Sequence, residues 1–140
     1  MTYFDFETEL QVRDYECDLQ GIVNNAVYLH YLEHCRHLFI HQAGIGFAWL
    51  HDEGIDAVVI RAEMDYKSSL RPGDEFLVQL KLKKRGPLRI IFDQQIVRKN
   101  DRKLILKARI TTVLTQNGKP VKSQMLIDVI NRAGIDVPEV

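Results

Sequence analysis

Asp18, Gly21, Asn24 and Asn25 lie close together near the start of the chain. A carboxylate can attack an electrophilic carbon directly or take a proton from water. Residue types alone do not choose between these routes. Carboxamides can donate to a carbonyl or orient water, and a glycine lets backbone approach a ligand closely. The competing reading is architectural, because aspartate and asparagine ahead of a helix commonly cap it and glycine commonly turns the chain.

The elements around these residues follow from periodicity. Phe6 to Tyr15 reads as a strand that runs into the polar stretch Glu16-Cys17-Asp18-Leu19-Gln20-Gly21. With Asn24 and Asn25 as candidate caps, Ala26 to Ala43 then runs without proline or glycine until Gly44 and Gly46 end it. Tyr28, Tyr31, Leu32, Cys35, Leu38, Phe39 and Ala43 keep helical spacing, while Val27, Leu29 and Ile40 widen the apolar surface, so this helix needs cover on more than one side. The first turn of such a helix carries backbone N–H groups without intrahelical partners, and near Asn25, Ala26 and Val27 an oxyanion could sit.

Strands are expected over Ile55 to Tyr66, Glu75 to Lys84, Leu88 to Arg98 and Lys103 to Thr115. The connections Arg71-Pro72-Gly73-Asp74, Arg85-Gly86-Pro87, Lys99-Asn100-Asp101-Arg102 and Asn117-Gly118 are short, which favours antiparallel neighbours. A last amphipathic helix is expected over Gln124 to Arg132, capped by Ser123 and followed by Gly134. One long helix with an antiparallel meander is an α+β layer arrangement, a curled sheet wrapping a central helix.

Three other features compete for chemistry. His30-Tyr31-Leu32-Glu33-His34 matches H-x-x-E-H, in which two histidines hold zinc and the glutamate activates water. A zinc hydrolase of that kind needs a third protein ligand, and Glu53, Glu63, Glu75 and Glu139 offer none singled out by its setting. His30, His34, His37 and His41 share one helical face, so the preferred reading is a polar stripe and no metal is expected. Cys17, beside Asp18, lacks any neighbour that marks it as an activated nucleophile. Lys81, Lys83, Lys84, Arg85 and Arg89 form the one basic cluster, suited to coenzyme A phosphates or an acidic carrier, or simply to the wet face of a sheet.

Composition narrows the classes. With 46% hydrophobic and 27% charged residues the chain is of ordinary globular type, and 140 residues suit one domain, expected to span 1–140. Lys plus Arg and Asp plus Glu number 19 each, so no net field argues for nucleic acid. No apolar run suggests a membrane span, and no signal peptide is apparent. With two cysteines outside any metal-ligand spacing, a cytoplasmic setting is expected.

The stretch from Val12 to Tyr28, Val-Arg-Asp-Tyr-Glu-Cys-Asp-Leu-Gln-Gly-Ile-Val-Asn-Asn-Ala-Val-Tyr, resembles the N-terminal signature of the 4-hydroxybenzoyl-CoA thioesterase-like branch of the hotdog-fold family. Strand order and the Arg71-Pro72-Gly73-Asp74 turn extend the likeness over nearly the whole chain. Val23 to Tyr28, followed by Glu33-His34-Cys35-Arg36-His37, looks most like the small acyl-ACP thioesterases of plant plastids and their bacterial relatives. Many bacterial members have tyrosine then histidine where Asn24 and Asn25 stand, which favours the acyl-ACP-like branch for this chain.

The resemblance implies hydrolysis of an acyl-CoA or acyl-ACP thioester without a cofactor, with Asp18, Asn25 and Asn24 as catalytic residues. Gly21, Ala26, Val27, Ser68, Ser69, Lys83, Lys84 and Arg85 are the expected substrate contacts. It also implies a homodimer joined sheet edge to sheet edge, paired again as a homotetramer, with Asp18 facing the Arg61 to Ser69 region of a partner. No Asp-x-Asn-Pro-x-His stretch points to a dehydratase. A non-catalytic acyl-thioester binding module would keep the fold and leave Asp18 dispensable.

Overall fold

The computed structural model describes residues 3–140, the side chain of Phe47 excepted. Strand β1 (Phe6–Gln11) leads through a 3₁₀ turn (Asp14–Glu16) to the long helix α1 (Asn25–Gln42). A short helix α2 (Phe47–Asp52) precedes β2 (Ile55–Tyr66), β3 (Glu75–Arg85), β4 (Arg89–Arg98), β5 (Leu104–Gln116), β6 (Lys119–Val121) and α3 (Gln124–Arg132). The strands form one antiparallel sheet in the order β1-β3-β4-β5-β2, with β6 added to β5. The sheet does not close, so β2 keeps a free edge.

Alternation decides which face α1 covers. Phe76, Val78, Leu80 and Leu82 on β3 lie in register with Ile96, Gln94 and Phe92 on β4, and these with Leu106, Ala108 and Ile110 on β5. All are buried except Arg98, the partner of Phe76. Against them α1 buries Tyr28, Tyr31, Leu32, Cys35, Phe39 and Ile40. Burying side chains of this size contributes about 1.5–3 kcal/mol each, which makes this layer the chief source of stability. Gln94 is the polar member of the layer, and it is satisfied: its amide donates to the Leu32 carbonyl at 3.1 Å and accepts from Arg36 at 3.0 Å.

The structure departs from the sequence expectation in four places. The first strand stops at Gln11 rather than Tyr15, because the Asp74 carbonyl takes the Val12 N–H and the Glu16 carboxylate takes the Arg13 N–H, closing the 3₁₀ turn. Ser123 is not a side-chain cap: its backbone is already helical and its hydroxyl turns to the Pro87 carbonyl at 3.3 Å. Helix α2 has too few residues to show a period. Strand β6 is only three residues long, although its turn was anticipated: Asn117 and Gly118 both have positive φ, as a tight hairpin needs.

Candidate active site

Asp18 sits at the base of a small hairpin. Cys17 pairs with Val23, the Asp18 N–H donates to the Ile22 carbonyl at 2.9 Å, and the Gly21 N–H donates to the Asp18 carbonyl at 3.0 Å. Gly21 has φ +75°, and a Cβ there would meet nothing within 4 Å, so conformation rather than crowding demands glycine. Asp18 Oδ1 accepts the Gln20 N–H at 2.9 Å, an aspartate turn of the usual kind. Oδ2 takes no backbone bond. With its nitrogen turned inward, the Gln20 side-chain amide lies 3.2 Å from Oδ2 and 3.0 Å from Oδ1. Asp18 is half-buried, whereas Leu19 at the tip is fully exposed.

The hairpin hands the chain into α1. Asn24 is the helix cap: its Oδ1 accepts the Ala26 N–H at 3.1 Å, its carbonyl accepts the Val27 N–H at 2.9 Å, and its own N–H goes to the Glu16 carbonyl. Ala26 and Val27 therefore have their N–H groups engaged. The Asn25 N–H takes no partner among the described residues, and the Asn25 side chain is exposed. Of the first-turn donors expected near an oxyanion, Asn25 is the open one.

Two tyrosines complete this end. Buried Tyr28 accepts the Leu70 N–H at 3.0 Å, and the Leu70 carbonyl takes the Val23 N–H, which brings half-buried Ser68 and Ser69 beside the helix start. Tyr66 stacks edge-on to Tyr28 with ring centres 5.7 Å apart and donates to the Asn25 carbonyl at 3.2 Å. Sequence reasoning missed Tyr66 because a tyrosine ending a strand carries no signal of its own. Through these contacts Tyr66 to Ser69, the end of the Arg61 to Ser69 region expected opposite a partner's Asp18, lies beside the helix start of its own chain.

Tyr31 anchors the approach. Its hydroxyl donates to Glu16 Oε1 at 2.8 Å, and burial together with that bond pushes its phenol well above the usual range. Burial, reinforced by Asp14, Asp18 and Glu16, also pushes the Cys17 thiol up. Thiolate is therefore scarce at neutral pH, and Cys17 is a poor nucleophile.

The basic cluster lies elsewhere. Lys83, Lys84 and Arg85 end β3, whereas the Asp18 hairpin joins the chain near its start; eleven strand residues span roughly 35 Å. Lys83 pairs with Asp93 at 2.8 Å, and Arg109 holds the same carboxylate at 2.7 Å. Burial pushes the Asp93 carboxyl up, but Arg109 and Lys83 outweigh it and hold the group below the usual range. Its stabilising contribution is thus full above the ordinary carboxylate pKa of ~4 and is lost as pH falls through the lowered folded value. We expect Asp93→Asn to cost about 1–3 kcal/mol at pH 7, read from urea unfolding, with the gap to native protein narrowing as pH drops below about 4.

The H-x-x-E-H stretch does not converge. His30 and His34 border a hollow with Arg13 and Glu16, while Glu33 lines a different cavity. Among the described residues no group of three or more His, Cys, Asp or Glu side chains is placed to hold a metal ion.

That second cavity, about 380 Å³, opens between α1, α2, β2 and the sheet. Its walls are largely apolar, built from Ile40, Leu50, Ile55, Ile90, Phe92 and Leu114. Neither Asp18 nor Asn25 lines it. The volume is within the range of small-molecule sites.

Residues 12–133 match the family model described as the thioesterase-like superfamily. The chain belongs to that superfamily. Over 117 residues it is 38% identical to the chloroplastic acyl-acyl carrier protein thioesterase ATL3 of Arabidopsis thaliana, covering 83% of this chain and 62% of the plant protein. The chain thus spans about three fifths of that relative. In fold, this thioesterase-like chain is similar to a hypothetical protein from Aquifex aeolicus, with 28% identity, TM-score 0.83, and coverage of 89% of this chain and 98% of that one. It is equally similar to a 1,4-dihydroxy-2-naphthoyl-CoA thioesterase from Synechocystis, at 19% identity, TM-score 0.84, and coverage of 90% and 95%. These likenesses identify the wrapped helix and open antiparallel sheet of the superfamily member as the hotdog fold anticipated from its motif.

Proposed function

We propose that this chain hydrolyses acyl thioesters of coenzyme A or acyl carrier protein, with Asp18 as nucleophile or general base. The observation that carries the reading is the hairpin at 17–23: it holds one Asp18 oxygen by the Gln20 N–H, leaves the other clear of backbone bonds, and delivers the chain into a helix whose Asn25 N–H is open. Asp18 either attacks the thioester carbon or takes a proton from the water that does so. By either route the carbon–sulfur bond breaks and the thiol leaves with a proton; where Asp18 attacks, water then cleaves the acyl–Asp18 anhydride, and where water attacks, its oxygen ends in the acid directly. The Asn25 N–H and the positive end of α1 stabilise the developing oxyanion. Asn24 supports this by fixing the first turn. The Arabidopsis relative is an acyl-acyl carrier protein thioesterase, which supports the carrier-protein substrate, and the Synechocystis protein of the same fold is a CoA thioesterase, in keeping with the CoA alternative.

Assembly belongs to the same reading. Among the described residues strand β2 pairs only with β5, and Val58, Val59 and Ile60 along it are exposed. A second copy joined along this edge as a homodimer satisfies its backbone groups, and two such dimers make a homotetramer. Antiparallel joining sets the second half of one β2, with Asn25 behind it, beside the first half of the other, which lines the cavity. Cytoplasmic residence agrees with two free thiols, and no described helix is long and apolar enough to cross a membrane.

The test is thiol release by the purified chain over a panel of acyl-CoA and acyl-ACP thioesters. Turnover of any member supports hydrolysis and names the carrier. Binding of acyl thioesters without turnover would replace it with an acyl-binding module.

A further inference from the structure

Arg36 is a cation on the wall of an otherwise mainly apolar cavity. Its guanidinium is half-buried, donates once to Gln94 Oε1 at 3.0 Å, and lies 5.9 Å from the centre of the Phe92 ring. Among the described residues it has no ion pair. A guanidinium has five N–H donors, so most of this one's capacity is unspent toward the cavity. Burial lowers its pKa, with Glu33 opposing the shift, and a ligand that covers this guanidinium in the cavity has to supply the acceptors that water supplies in its absence.

The cavity lining also settles which part of a ligand Arg36 meets. No residue of the Asp18 hairpin or of the first helical turn lines it, and Arg36 stands three turns, roughly 16 Å, from the start of α1. Because the thioester carbonyl is held at the Asn25 N–H, outside this cavity, what reaches Arg36 is a part of the acyl group beyond that carbonyl. Glu33 and Asp56, both exposed, line the same cavity together with His37 and His51. Those carboxylates oppose a second anion, so a neutral oxygen fits better than a carboxylate.

We propose that Arg36 is a specificity-determining residue that selects acyl groups bearing a neutral oxygen, a hydroxyl or a carbonyl, near the end distal to the thioester. The proposal rests on the acyl-thioester reading for its ligand. Its test is separable from that reading because it uses thioethers that cannot be hydrolysed. Calorimetry compares dodecyl-CoA with its ω-hydroxy and ω-carboxy counterparts on the native chain, on Arg36→Met and on Arg36→Lys, each checked for folding by thermal melting.

The ω-hydroxy ligand is expected to bind the native chain about tenfold or more tightly than the plain one, since an unmatched buried donor penalises the ligand that lacks the oxygen. Arg36→Met brings that ratio to near one by improving the plain ligand and weakening the hydroxylated one, and Arg36→Lys keeps part of it. A purely structural arginine, clamping α1 to Gln94, would instead lower both affinities together. Equal affinities on native protein, a ratio unchanged in Arg36→Met, tightest binding of the ω-carboxy ligand, or no binding of any, overturns the proposal. Thiol release from unsubstituted thioesters, measured in parallel, judges the hydrolase reading independently.

Discussion

Asp18→Asn is expected to lower kcat for thioester hydrolysis by roughly 10²–10⁴-fold while the chain melts within a degree or two of the native protein. The expectation follows from how the side chain is used. Oδ1 holds the Gln20 N–H, and a carboxamide oxygen does the same, so the hairpin keeps its shape. What asparagine cannot do is attack a thioester as an anion or accept a proton from water. Asp18→Ala removes both functions, and loss of the turn bond adds about 0.5–1.5 kcal/mol of destabilisation. The comparison of the two variants separates chemistry from loop structure. Native rates in Asp18→Asn would leave Asp18 as a turn former and nothing more.

Phe76→Ala is expected to cost about 3–5 kcal/mol, a large share of the 5–15 kcal/mol typical of a domain, and to lower the melting temperature by on the order of 10–20 °C. Phe76 is fully buried at the start of β3 and packs against Tyr31 with ring centres 4.7 Å apart. Tyr31 in turn holds Glu16, whose carboxylate takes the Arg13 N–H and whose carbonyl takes the Asn24 N–H. Removing the ring therefore loosens the entry to the Asp18 hairpin as well as the core. In the folded fraction at low temperature, kcat should also fall, whereas an equally buried substitution at Ile105 should cost stability with kcat kept. Equal effects on kcat from both positions would show that the aromatic contact has no special link to the hairpin.

Much of this was legible in the sequence because the signals were local. Helix α1 and strand β2 fall within a residue of their expected limits, α1 because its 3.6 period is long and cleanly punctuated by Gly44, Gly46 and the Asn24-Asn25 pair. Asn24 as cap and Gly21 as turn residue follow from side-chain chemistry that operates over two or three positions. The misses depended on distance. Ser123 turns to Pro87, and Tyr66 reaches the helix start from 41 residues away. Lys83 reads as a free cation until β4 and β5 bring Asp93 and Arg109 to it.

The strand order carries a consequence for synthesis. Among the described residues β2 pairs only with β5, which ends about fifty residues later, and β1 only with β3, so the sheet is completed outward from a meander made late. At ordinary ribosomal rates of 5–20 residues per second, β2 emerges and then waits roughly 3–10 s for its partner. Throughout that interval the backbone groups of β2 that will pair with β5 have no ladder partner, an open strand edge on the ribosome, and the nascent protein is most in need of a chaperone there.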